Sequence, residues 1–107
     1  MVIRSWEGTA KPGEADAYLS FLTDVMVPAI AALPGCLGVH VLRRVGAPEQ
    51  FVVQSHWEDA ASIERFAGDD AEHAVVPEDA QALLRAFDER ARHFEVVLNA
   101  SQESARG

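Results

Sequence analysis

The order of side-chain periodicities along this chain predicts a single α+β domain. Strand, helix, strand, strand, helix and strand follow one another, which places helices on one face of a four-stranded antiparallel sheet. Three observations carry that prediction. Period-two alternation recurs near residues 2, 37, 51 and 93, spacings of three and four fill the intervals after the first and third of these, and 107 residues leave room for one core.

The first strand runs over Val2 to Thr9, with Val2, Arg4 and Trp6 on one face and Ile3, Ser5 and Glu7 on the other. Lys11-Pro12-Gly13 is turn chemistry. Tyr18, Leu22, Val25, Met26, Ile30 and Leu33 then mark an amphipathic helix, bent or broken near Pro28 because proline cannot donate to the helical ladder. Pro34-Gly35 ends it, and a second strand alternates Leu37, Val39 and Val41 with Gly38, His40 and Leu42. Gly46 to Glu49 closes a hairpin into the third strand, where Phe51, Val53, Ser55 and Trp57 alternate with Val52, Gln54 and His56. Centred near Pro48, that hairpin would pair Arg44 with Val52, Leu42 with Gln54 and His40 with His56.

Asp59 is a natural N-cap for a short helix whose stripe is Ile63, Phe66 and Ala67 and whose stop is Gly68. Asp69 to Val76 reads as a loop. Pro77 suits the first turn of another helix, with Ala80, Leu83, Leu84 and Phe87 along one face. The fourth strand is expected over His93 to Asn99, with Phe94, Val96 and Leu98 facing away from His93, Glu95 and Val97. The domain therefore takes residues 1–99, and residues 100–107 form a polar tail. This order is the split βαβ, ferredoxin-like arrangement.

Composition narrows the function. Hydrophobic residues at 49% and charged residues at 24% fit an ordinary folded domain rather than a disordered chain. A net charge of −8, with Lys11 and eight arginines as the only cations, argues against nucleic acid and anionic membrane as partners. Cys36 is the single cysteine, which excludes an intrachain disulfide and a cysteine-rich zinc site. Charges near the start, at Arg4 and Glu7, stand where a signal peptide needs an apolar run, so the expected location is the cytoplasm. The uncharged stretch Val25 to Leu42 is interrupted by Pro28, Pro34, Gly35 and Gly38, which suits a helix end, a turn and a strand better than a membrane span.

Helices on one side leave the other sheet face uncovered. Ile3, Leu42, Val52 and Val97 would mix there with Ser5, Gln54, His56 and Glu95, and a second copy of the sheet is the economical cover. His40, His56 and His93 are expected on that face, where neutral imidazoles would hydrogen-bond across a homodimer that acid would weaken. A metal site at His40 and His56 would need a third ligand such as His93 or Glu95, and no metalloenzyme spacing motif is present; no metal is expected.

The string Phe51-Val52-Val53-Gln54-Ser55-His56-Trp57-Glu58-Asp59, followed by Ile63, Phe66 and Ala67-Gly68, resembles the antibiotic-biosynthesis-monooxygenase-like family of dimeric α/β-barrel proteins. Supporting pieces are Arg4-Ser5-Trp6-Glu7-Gly8, Leu33-Pro34-Gly35-Cys36-Leu37-Gly38-Val39 and His93-Phe94-Glu95-Val96-Val97, so the resemblance spans about residues 2 to 98. It implies a ferredoxin-like subunit, a dimer joined through its sheets, and a ligand cavity between each sheet and its own helices. Members include cofactor-independent oxygenases of polyketide aromatics, quinol monooxygenases, heme-degrading enzymes and proteins with no assigned reaction. The aromatic-oxidising branch has an asparagine four residues before the tryptophan that ends strand three, where this chain has Val53. The heme-degrading branch has an asparagine on strand one and a tryptophan on the helix after strand three, where this chain has Ile3 and Phe66; its histidine ligand falls about three residues beyond His73.

Candidate site residues follow from the helix-facing side of the sheet. Trp6 and Trp57 share that side and either line a pocket for a flat aromatic or are plain core. Arg4 stands between Val2 and Trp6, where an unpaired guanidinium is expensive, so it needs an acidic partner or an anionic ligand oxygen. Tyr18 could turn its hydroxyl into the same space as a hydrogen-bond donor or proton shuttle, and Phe66 and Phe87 are further wall candidates. The function these residues suggest is a cofactor-independent monooxygenase acting on a quinol or polyketide-type phenol, with Arg4 stabilising the anion and Tyr18 as hydrogen-bond partner. A non-catalytic small-molecule-binding or stress-responsive protein is the alternative from a different class, and heme degradation is a third.

Overall fold

The computed structural model describes residues 1–100, so most of the polar tail expected over 100–107 lies outside the described residues. The elements run β1 (Val2–Ala10), α1 (Ala15–Phe21), a π-helical turn (Leu22–Met26), α2 (Val27–Ala31), β2 (Cys36–Arg44), β3 (Ala47–Trp57), α3 (Ala60–Ala67), α4 (Glu78–Gln81), β4 (Leu84–Phe87) and β5 (Arg92–Glu95). Their sheet is antiparallel and ordered β2-β3-β1-β4, with β5 also on β1. The ferredoxin-like α+β class holds, with helices on one side.

The π-helical turn accounts for the expected break at Pro28. Proline has no N–H to give the carbonyl of Asp24, and its ring crowds that carbonyl in an α-helix. The chain answers by widening one turn before it, so that Val27 N–H bonds to the oxygen of Leu22, and Pro28 then starts α2 where a missing donor costs nothing. Further on, Gly35 turns at φ 86°, and a side chain there would meet the hydroxyl of Ser62 at 2.0 Å. That close approach seats α3 against the start of β2. Asp59 caps α3 as expected, its carboxylate accepting from Ser62 N–H at 2.9 Å and Ser62 Oγ–H at 2.8 Å, which holds its pKa below the ordinary value.

Two expectations fail in the last third of the chain. The spacing of Ala80, Leu83, Leu84 and Phe87 predicts one helix, but the helix covers only Glu78–Gln81 and Leu84–Phe87 is a strand beside Gly8 to Ala10. The free edge of β1 needs hydrogen-bond partners, and that requirement overrides a four-residue coincidence of period. The fourth lane of the sheet thus begins at Leu84, breaks over residues 88–91, and resumes as β5, which ends at Glu95 rather than Asn99.

The second failure is one of facing. His93 pairs with Arg4 and Phe94 with Ile3, so His93 stands on the helix-covered face and Phe94 on the open one, the reverse of the expected arrangement. Phe94 is 52% exposed there, and Val97, expected on that face, lies beyond the strand. The hairpin register also differs by two residues, with Leu42 opposite Val52, His40 opposite Gln54 and Gly38 opposite His56, because the strands meet at Arg44 and Ala47 around a tighter turn. A shift of two preserves facing, so His40 and His56 still touch, Nδ1 to Nε2 at 3.2 Å, on a diagonal.

The core lies between sheet and helices as two clusters. One gathers Tyr18, Leu22, Phe51, Ala80 and Leu84; the other Ile30, Trp57 and Ile63. Met26 packs against both. No helix among the described residues is long and apolar enough to cross a membrane.

Candidate ligand cavity

A cavity of about 50 Å³ lies at the seam of the two clusters. Alternation on β1 and β3 delivers Arg4, Trp6, Val53 and Ser55 to its floor. Leu22 and Met26 from the π-helical turn, with Tyr18 and Ile30 on either side of it, form the roof, and Val75, Val76 and Pro77 close one wall. Phe66 on α3 completes it.

Arg4 is the one charged lining residue and is only 5% exposed. No carboxylate among the described residues lies within ion-pair distance of it; Glu72 turns to Arg90 at 3.7 Å. Instead its Nη1 donates to the carbonyl of Ala71 and, at 2.8 Å, to Nε2 of His93, while Nη2 donates to the carbonyl of His73 at 2.8 Å. The guanidinium also stands 5.5 Å from the ring centre of Phe66. Desolvation lowers its pKa, with Glu72 opposing from further off. Since arginine only donates, His93 accepts through Nε2 and carries its proton on Nδ1. Burial, and then the Arg4 charge, push the His93 pKa below its ordinary 6.5.

Tyr18 is buried, and its ring meets Phe51 edge-on at 5.2 Å. Tyr18 is among the residues that line the cavity. Burial raises its pKa well above the usual tyrosine value. It is a neutral donor, not a proton acceptor.

The remaining candidates separate. Trp6 lines the cavity but directs its indole N–H outward, to the carbonyl of Asp88 at 2.8 Å. Its ring lies over Gly8, where a side chain would come within 2.6 Å of it. Trp57 stands behind the wall: it stacks on Phe66 at 5.9 Å and donates to Ser55 Oγ at 2.8 Å. Phe87 lies outside the cavity, packed on Trp6 at 6.4 Å, because Leu84–Phe87 is a strand and not a helix. His73 offers its carbonyl rather than its ring, which is exposed. Sequence reading missed Ser55 as a floor residue, His93 as the acceptor behind Arg4, and Val75 to Pro77 as a wall. The first was available from the alternation of β3; the other two depend on the fourth lane. No three His, Cys, Asp or Glu side chains among the described residues gather as a metal site.

The sequence model of antibiotic biosynthesis monooxygenases matches residues 1–76, which contain β1 to α3 and most of the cavity. The chain belongs to this family. Among solved structures, this member resembles a Deinococcus radiodurans protein assigned as an antibiotic biosynthesis monooxygenase, with TM-score 0.72 and 16% identity over 94% of this chain and 97% of that one. A second structure, an antibiotic biosynthesis monooxygenase, has TM-score 0.71 and 21% identity, covering 92% of this chain and 100% of that one. A third, a variant of MhuD with two manganese protoporphyrin IX bound per active site, has TM-score 0.67 and 24% identity over 94% of this chain and 99% of that one. At these identities the likeness is one of fold. No curated protein matches the chain.

Proposed function

We propose that this family member is a cytoplasmic, cofactor-independent monooxygenase acting on a small electron-rich aromatic, a quinol or phenol, bound in the cavity below the π-helical turn. The single observation that carries the reading is a buried guanidinium with no carboxylate at ion-pair distance among the described residues, inside a largely apolar cavity. Such a site favours an oxyanion and excludes water. The bound anion would supply the electrons to dioxygen: one oxygen atom becomes a carbonyl at a ring carbon that gives up its one hydrogen, the hydroxyl gives up the other, and the second oxygen atom leaves as water with those two hydrogens. Arg4 would hold the charge, Tyr18 would hydrogen-bond the oxygen, and Trp6 and Phe66 would flank the ring. Oxygen uptake with a panel of quinols and anthrones tests this: consumption above a boiled control and lost in Arg4→Ala supports it, and none with any substrate removes it.

Binding without turnover is the second reading, favoured by Val53 on the cavity floor and by a lining without Asp, Glu, His or Lys. Native mass spectrometry of fresh protein separates the two, since a retained ligand unchanged in air supports the binder. Nothing in the cavity favours heme, because no lining histidine is available as an axial ligand.

The working unit in this reading is a homodimer through the open sheet face. Ile3, Leu42, Val52 and Phe94 lie there, with Leu42 and Phe94 substantially exposed in the single subunit. Sedimentation tests it, and a monomer at every concentration would refute it.

A further inference from the structure

We infer that the ligand of this cavity enters as a small anion, a one-ring acid, enol or phenol already ionised at neutral pH, whose charged oxygens are received together by Arg4 and Tyr18. The inference deepens the functional reading above and rests on it for the place of the site, though not for turnover.

The polar lining is one-sided. Its hydrogen-bonding side chains with a proton still to give are Arg4, Tyr18 and Ser55. Arg4 carries five N–H donors, of which three are engaged by Ala71, His93 and His73, leaving Nε–H and one Nη2 hydrogen. Tyr18 is held in its neutral form by burial, so its hydroxyl keeps a proton to donate. Ser55 already accepts the indole proton of Trp57, so its own hydroxyl hydrogen is free to donate. Against these donors the lining side chains offer no base.

A neutral phenol entering here would find no base to take its proton, only hydroxyl oxygens able to accept a hydrogen bond from it. His93 cannot take it, because its Nε2 is occupied by Arg4 and the ring is not part of the lining. An anion has no such difficulty. It also supplies the counter-charge that Arg4 lacks among the described residues, at a position where the guanidinium is already desolvated and fixed by two carbonyls, so little reorganisation accompanies binding. The volume sets the size. About 50 Å³ favours a single ring, and a fused-ring ligand would need the wall at Val75 to Pro77 to give way.

The test is a titration of the intact protein with benzoate and with benzamide, its neutral isostere, followed by calorimetry and by tryptophan fluorescence, to which Trp6 and Trp57 both contribute. Benzoate should bind about tenfold tighter, the difference between charge-assisted and neutral hydrogen bonds. Tyr18→Phe, which deletes the hydroxyl, should weaken benzoate several-fold and leave benzamide less affected. Arg4→Met, if folded by circular dichroism, should abolish the preference. A second titration with 4-nitrophenol separates phenolates from carboxylates as the natural class, since its affinity should follow the ionised fraction as pH rises. Equal or tighter binding of benzamide, a preference surviving in folded Arg4→Met, or no binding of either compound at millimolar concentration would overturn the inference. Should Arg4→Met not fold, the wild-type ratio and Tyr18→Phe decide. Benzoate preference without oxygen uptake on any quinol would leave the ligand class standing and remove the oxygenase.

Discussion

The two faces of this sheet are drawn from the same strands in the same register, and each carries a close contact between two basic side chains. On the inner face Arg4 meets His93 at 2.8 Å; on the outer face His40 meets His56 at 3.2 Å. The inner pair is fixed by Ala71 and His73 carbonyls and lies under helices and loop, whereas the outer pair lies open. Distance alone therefore does not set what a contact contributes. Desolvation and the number of further bonds do, and they make the inner pair a fixed part of the site.

The largest effect expected on the inner face is from Trp57→Ala, which removes a fully buried ring and the donor to Ser55; a loss of about 3 to 5 kcal/mol in urea denaturation is expected. A loss under about 1 kcal/mol would mean that α3 collapses onto the space. Arg4→Met comes next. It strips donors from two carbonyls and from His93, and should cost about 2 kcal/mol, measured the same way. If it stabilised the fold instead, burial of the guanidinium would be a cost carried for the ligand, which sharpens the contrast between the faces.

The pH dependence follows from His93. Its folded pKa is depressed, so between that value and the ordinary 6.5 the unfolded chain binds a proton that the folded chain refuses. Its contribution is complete above 6.5 and is lost as pH falls toward the folded value. His93→Gln, which can still accept from Arg4, should flatten this acid limb of a stability profile. On the outer face, His40→Gln should change subunit stability by no more than about 0.5 kcal/mol, as exposed substitutions do. Smallest for the subunit and largest for its assembly is Val52→Asp, which should leave circular dichroism unchanged and convert a sedimenting dimer to monomer. A dimer that persists would place the interface elsewhere.

What was legible in the sequence was whatever a strict period announced. The alternation Phe51, Val53, Ser55, Trp57 set the facing of β3, and with it the floor of the cavity, and Arg4 between Val2 and Trp6 revealed a buried charge. Its partners were not legible, because carbonyls of Ala71 and His73 have no side-chain signature and belong to an irregular segment. The fourth lane was misread for a related reason. Leu84 to Phe87 fits a helical stripe locally, and only the unpaired edge of β1 demands a strand there. Once that lane starts early and breaks, the facing of every later residue changes, which is why His93 and Phe94 exchanged sides.

The broken lane also makes the two edges of the sheet unlike. At one edge β4 and β5 present two four-residue pieces with a gap at 88–91, so an incoming chain finds no continuous row of donors and acceptors. At the other, β2 offers nine residues but is irregular at Cys36/Gly38 and Arg43/Arg44 and ends in two arginines. Neither edge is a good template for a further strand, so copies of this protein are steered away from ribbon-like, edge-to-edge stacking.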